Sequence, residues 1–251
     1  MESVRSKINF LINNDVDFLF SDNPVDKTKL VVKNNQQVAK QSAVISVEKK
    51  SDKLMDLVIE KEVCEFSLKD VSDLESFKKV IVKISHLTKS DSSNIVFGKG
   101  NNKSPKVMFI GEIPDIEEET SGTPFAGSQG VLLEKMLKAI GLKQDDFYLT
   151  NAVNYHPLNN QILSKKDLEF WAPFLKKHIE LINPKIIYLF GLTPLQMLFP
   201  NSGNLVSNRG KLLDLQGVKS MCSYHPSYLV RIPEKKKEAW EDLQMLQKEL
   251  V

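Results

Sequence analysis

Short unbroken apolar runs alternate along this chain with longer stretches in which apolar residues return every three or four positions. Val107, Met108, Phe109 and Ile110 form one such run and end in Gly111-Glu112; Phe147–Asn151 and Lys185–Phe190 are similar, and Val218–Tyr224, with Lys219, Ser220 and Ser223 in it, reads as a fourth strand. Runs of this length bounded by Gly, Pro or Asn predict buried strands. Helical spacing predicts helices around Leu74, Phe77, Val80, Ile81 and Ile84, around Val131, Leu133, Met136, Leu137 and Ile140, and around Leu168, Trp171, Leu175, Ile179 and Ile182. Asp70 or Ser72 is the expected cap of the first, and Ser164 begins the third, with Pro173 inside it. Thr193–Phe199 reads as a short helix and Glu234–Leu250 as a terminal one. Strands alternating with helices predict an α/β fold: a three-layer α/β/α sandwich with a central, mainly parallel four-stranded sheet.

The N-terminal quarter has a different character. Val4, Ile8, Leu11 and Ile12, then Val16, Phe18, Leu19 and Phe20, predict an amphipathic helix over 1–20 that docks on the core or binds a partner. Residues 21–66 are rich in Asn, Gln, Lys, Ser and Asp without sustained periodicity and read as a disordered linker. The folded domain is expected over 67–251.

Composition narrows the function little. Of 251 residues 41% are hydrophobic and 26% charged, the balance of a soluble globular protein. A net charge of +2 leaves room for a local basic groove on nucleic acid. Cys64 and Cys222 are the two cysteines, too few for a disulfide scaffold or a cysteine-only metal site. Charged residues interrupt the first twenty positions, so no signal-peptide core stands there, and no apolar run reaches the length of a membrane span. A cytoplasmic location is expected.

Glu112, Asn151 and His225 each follow an apolar run directly, and parallel strands bring such positions to one edge of a sheet. Taken singly each has a structural explanation: a turn cap, a satisfied loop backbone, a packed histidine before proline. The acidic run Asp115–Glu119 reads as a solvated loop, and Phe125 as core with one face open for stacking between small neighbours. His225-Pro226-Ser227-Tyr228-Leu229-Val230-Arg231 joins an imidazole, a rigid turn, an apolar tip and a cation, which suits a loop pressed into a nucleic-acid groove. Tyr228 or Leu229 would be the wedge and Arg231 the phosphate contact. Lys235–Lys237 reads as a solvated helix face. The chain has no Walker loop, GxGxxG, Gly-x-Ser-x-Gly elbow or zinc spacing.

These residues resemble a known family. Gly111-Glu112-Ile113-Pro114 and Gly122-Thr123-Pro124-Phe125-Ala126-Gly127 look like the first motif of family 4 uracil-DNA glycosylases. Thr150-Asn151 with His156-Pro157 and Asn160 is similar to the second block, and His225–Arg231 resembles the closing motif. The resemblance runs from about Ile95 to the C-terminus with order and spacing kept; the N-terminal segment resembles extensions of alphaproteobacterial members. It implies a monofunctional enzyme that hydrolyses the N-glycosidic bond of uracil in single- or double-stranded DNA and leaves an abasic site, working as a monomer. Glu112 would position or activate water, Phe125 would stack on the flipped base, and Asn151 would bond its edge. His225 would stabilise charge on uracil O2, Glu118 would line the pocket near C5, and the Leu229–Arg231 segment would fill the gap in the duplex.

Two departures from the family stand out. Its members usually hold a 4Fe–4S cluster on four cysteines, and the corresponding places here fall near Lys83, His86, Tyr155 and Trp171, so no cluster is expected and the two rings would fill its space. Ile113 and Asp115 stand where small residues are usual, adding bulk and charge beside the water site. They motivate a second reading, a DNA-binding relative of the same fold with altered specificity or no turnover. An unrelated α/β hydrolase ranks last.

Overall fold

The computed structural model describes residues 68–87, 95–155 and 163–250. The expected N-terminal helix and linker, Cys64, and the His156-Pro157 and Asn160 positions lie outside them. Six strands form one sheet: β1 (Gly98–Gly100), β2 (Val107–Gly111), β3 (Phe147–Asn151), β4 (Ile186–Phe190), β5 (Leu213–Leu215) and β6 (Val218–Ser223), in the order β1-β3-β2-β4-β6-β5. The four strands read from the sequence are the parallel centre, and β1 and β5 are antiparallel edges. The expected four strands are thus corrected to six. Each edge strand has three residues, GKG and LDL, too few to show any alternation.

Residues of β2 are buried throughout because the sheet is covered on both faces. Met108 and Ile110 point into one core, Val107 and Phe109 into the other. The first core lies under α1 (Leu74–Leu87), α4 (Lys165–Ile182) and α5 (Leu192–Leu198), which supply Phe77, Ile81, Trp171, Leu175 and Leu195. The second lies under α3 (Gly127–Ala139) and α8 (Lys236–Glu249), through Leu133, Leu137, Leu243 and Leu246. A fully buried side chain of this size contributes about 1.5–3 kcal/mol, so these two seams carry the fold.

Helix ends follow local chemistry. Ser164 caps α4 in a reciprocal box with Asp167, as its spacing predicted. For α1 the acceptor is Asp73, which takes the Ser76 amide at 2.8 Å, and not Asp70 or Ser72. Two short helices replace stretches read as loops, α2 (Ile116–Ser121) and α7 (Pro226–Arg231), and α6 (Leu205–Asn208) lies where no element was expected. His178 on α4 is fully buried between the Phe77 and Phe97 rings, and burial pulls its imidazole down to about 3. It is a neutral core histidine.

From β2 the chain moves to β3 on one side, then crosses to β4 on the other. The crevice of such a sheet opens at the carboxyl end where neighbouring strands lead away in opposite directions, here beyond Gly111.

Candidate active site

Glu112 leaves the end of β2 and turns toward β4. Its Oε1 accepts three hydrogen bonds, from the Leu192 amide at 2.9 Å, the Thr193 amide at 3.1 Å and the Thr193 hydroxyl at 3.1 Å. No hydrogen bond occupies its Oε2 among the described residues. Gly191 permits this approach: its φ is +90°, and a methyl group there would lie 2.4 Å from the Glu112 carboxyl carbon.

On the other side of β2, Asn151 at the end of β3 is buried. Its Nδ2 donates to Glu118 Oε1 at 3.1 Å, which fixes the amide the other way round from its flipped form. Asn151 Oδ1 is buried with no hydrogen-bond partner among the described residues, an acceptor held out for a donor from elsewhere. Glu118 also takes the Asp115 amide at 2.8 Å and the Phe125 amide. Burial pushes the Glu118 carboxyl up, and those donors oppose the push.

Asp115 caps α2 with φ −90°, an ordinary conformation for which glycine is not needed. It accepts from the Glu118 amide at 2.9 Å and from Gln129 Nε2 at 2.7 Å. The acidic run is therefore a capped helix anchoring Glu118, with Glu117 and Ile116 outward.

Phe125 sits at φ +55°, rare for an aromatic residue, and is held there by Glu118 and by Phe190 packing edge-on at 5.8 Å. Its ring stacks on His225, centroids 5.6 Å apart and 21° from parallel. His225 follows β6 and caps α7: the Ser227 amide donates to its Nδ1 at 3.3 Å, and the Ser227 hydroxyl lies at 2.8 Å. A backbone amide can only donate, so in the neutral ring the proton is on Nε2. Burial holds His225 below the ordinary histidine value; Glu112 and Asp115 oppose this and Arg231 reinforces it. Neutral His225 thus points an N–H inward. A methyl group on Gly111 would meet Asn151 Oδ1 at 2.3 Å, Phe125 Cζ at 2.9 Å and His225 Nε2 at 3.2 Å, so the three side chains converge on one point.

Leu229 is not at the surface. In α7 it faces inward and is fully buried with Tyr224 and Ala239, which corrects the exposed apolar tip expected there. A loop has no inner face, but a helix gives one to the residue four after its cap. Val230, 41% exposed, and Arg231 point outward, and Tyr228 stacks on Tyr224 at 5.3 Å. Gly191, Thr193 and Gln129 escaped the sequence reading. Thr193 stands three residues past the apolar run of β4, and its bond to Glu112 depends on β4 lying beside β2.

A separate groove of 680 Å³ runs between α3 and β3, lined by Lys99, Val131, Lys138, Lys143 and Leu149; it meets the site only at Phe125. At the places corresponding to cluster ligands, Tyr155 and Trp171 are buried and pack with centroids 5.2 Å apart. Two touching rings offer no thiolate, so the residues present do not fit an iron–sulfur cluster. Among the described residues no group of three or more His, Cys, Asp or Glu side chains could hold a metal. No described helix is long and apolar enough to cross a membrane.

At the carboxyl edge of this α/β sandwich an amide, an imidazole and an aromatic ring converge on one point, with the Glu112 carboxylate leaving the end of β2. The family model for the Uracil DNA glycosylase superfamily matches residues 97–244, and the chain belongs to that superfamily. It is 35% identical over 159 residues to a Type-4 uracil-DNA glycosylase of Thermotoga maritima, covering 62% of this chain and 81% of the relative. It is 30% identical over 185 residues to a Type-4 uracil-DNA glycosylase of Archaeoglobus fulgidus, covering 69% and 92%. A third, from Saccharolobus solfataricus, is 32% identical over 166 residues, covering 62% and 76%.

Proposed function

We propose that this protein excises uracil from DNA by hydrolysing the N-glycosidic bond. The observation that carries the reading is the unpartnered Asn151 Oδ1 beside a neutral His225 Nε2–H. A base inside a duplex cannot be reached, so it is flipped into the pocket, at a cost lowest for mispaired or single-stranded uracil. Phe125 stacks on the ring. Asn151 Oδ1 accepts from uracil N3–H, and the free hydrogen on Nδ2 donates to O4. Cytosine presents an acceptor at N3 and a donor at C4, so an amide fixed by Glu118 rejects it; unpaired buried polar groups make such rejection strong.

As the C1′–N1 bond breaks, the electron pair moves onto uracil, and His225 Nε2–H meets the charge developing on O2. Water held by Glu112 Oε2 adds its oxygen to C1′; its proton passes to that carboxylate and on to the uracil anion, which leaves as neutral uracil beside an abasic site. Val230 takes the place expected of Leu229 at the duplex, with Tyr228 beside it and Arg231 on phosphate. The ordered cap formed by Asp115 supports turnover over the binding-only reading.

Uracil-containing oligonucleotide incubated with the protein and split for alkali treatment tests this. Strand breaks are expected only after alkali. Breaks before alkali would show a lyase, and none after it would mean binding without turnover.

We further infer that the protein carries no iron–sulfur cluster, in support of which stand the Tyr155–Trp171 packing and the lack of cysteine at the corresponding places. Protein purified without oxygen is expected to be colourless and to lack stoichiometric iron. A visible absorbance band with iron bound to every chain would refute it.

A further inference from the structure

A glutamate placed just after a strand has three side-chain torsions to lose before it can hold a water in one direction. Nothing in its own chain segment fixes them. At Glu112 the restraint comes from the first turn of α5, entered through Gly191: the Leu192 and Thr193 amides and the Thr193 hydroxyl all reach a single carboxylate oxygen. The turn is itself anchored, because the Gly191 amide donates to the Ser223 carbonyl at 3.0 Å, two residues before His225. The same short piece of backbone therefore touches both the Glu112 carboxylate and the strand end that carries His225.

We propose that the Gly191–Thr193 turn positions the Glu112 carboxylate for attack, with the Thr193 hydroxyl as a positioning group for the reaction. This rests on the uracil-hydrolysing reading but makes a claim about Glu112 that holds apart from it. Three donors on Oε1 leave Oε2 as the oxygen that faces water. The orientation of a nucleophile within a fraction of an ångström sets much of the barrier in a reaction of this kind. The two amides belong to the backbone and survive any substitution, whereas the hydroxyl can be removed alone.

The alternative is that the contacts merely satisfy the turn and that Glu112 serves as its cap. The two differ in what a folded variant does. Thr193→Val keeps shape and loses the hydroxyl; Thr193→Ser keeps the hydroxyl and loses the methyl. With single-turnover rates measured at saturating uracil-DNA, Thr193→Val is expected to be slower by about tenfold, the size of one well-made hydrogen bond to a charged group. Its DNA affinity should stay the same, and Thr193→Ser should recover the rate. Gly191→Ala should be slower than Thr193→Val, since its methyl group would collide with the carboxylate at 2.4 Å. A Thr193→Val rate equal to wild type, or a Thr193→Ser rate as low as that of Thr193→Val, would overturn the proposal.

A second measurement reads the carboxylate directly. Crystal structures of wild type and Thr193→Val should show Glu112 in one conformer in the first and in more than one, or a turned one, in the second. An identical single conformer in both would overturn the proposal whether or not the protein releases uracil. If wild type is inert on uracil-DNA yet Glu112 moves in the variant, the uracil reading fails and the positioning by Thr193 stands.

Discussion

His225→Ala is expected to lower the single-turnover rate of uracil release at saturating DNA by about 10²–10³ while leaving DNA binding nearly unchanged. The size follows from where the Nε2–H points. With Nδ1 taken by Ser227, the ring offers one donor, and it enters the space shared by Asn151 Oδ1 and Phe125. A donor aimed at charge that appears only as the bond breaks acts on the transition state and little on the bound substrate. Burial lowers the affinity of His225 for a second proton, so the donor is neutral. The rate of the wild type should therefore not rise as pH falls through the ordinary histidine range near 6.5, as it would if imidazolium were the active form. If His225 only caps α7, the substitution would lower the melting temperature and leave the rate of the folded protein intact. A normal rate at saturating DNA would remove His225 from the mechanism.

The parallel centre of the sheet was readable because both faces are covered. A strand buried on two sides has no polar alternation, and β2 and β4, buried throughout, stand out most clearly against amphipathic helices. Glu112, Asn151 and His225 were readable for the related reason that a polar residue ending such a run lies on the carboxyl edge. What escaped depends on contacts distant in sequence or on conformations that periodicity does not encode. α2 looked like a charged loop because four of its six residues are polar or acidic outward-facing groups around one buried Glu118. Leu229 looked like an exposed tip because proline after histidine suggested a loop, whereas Pro226 stands at the first turn of α7, where its missing N–H costs nothing. Thr193 has meaning only once β4 lies beside β2, a pairing of residues 107–110 with 186–189 that local pattern cannot show.

Asp242→Ala is expected to destabilise the protein by about 3 kcal/mol, the lower end of what breaking one side of a buried ion pair costs. Asp242 on α8 is 2% exposed. It takes Arg209 Nε and Nη2, both at 3.1 Å, in a two-pronged pair, and the Ser223 hydroxyl at 2.6 Å. Burial pushes its carboxyl above the usual range, and Arg209 and Ser223 pull the other way. The lower end is chosen because Arg209 keeps a second partner, Glu238 at 3.1 Å, and rests on the Tyr224 ring at 5.1 Å. Ser223 and Tyr224 are the last residues before His225, so the pair ties α8 and the Arg209 segment to the strand end that presents the imidazole. Urea unfolding of Asp242→Ala, Arg209→Met and the double variant Arg209→Met/Asp242→Leu would measure this. The double variant should be more stable than Asp242→Ala, since exchanging both charges for apolar groups removes the uncompensated cation. A loss below about 1 kcal/mol for Asp242→Ala would class the pair with solvent-screened surface bridges, and α8 would then be held mainly by apolar packing through Ala239, Leu243 and Leu246.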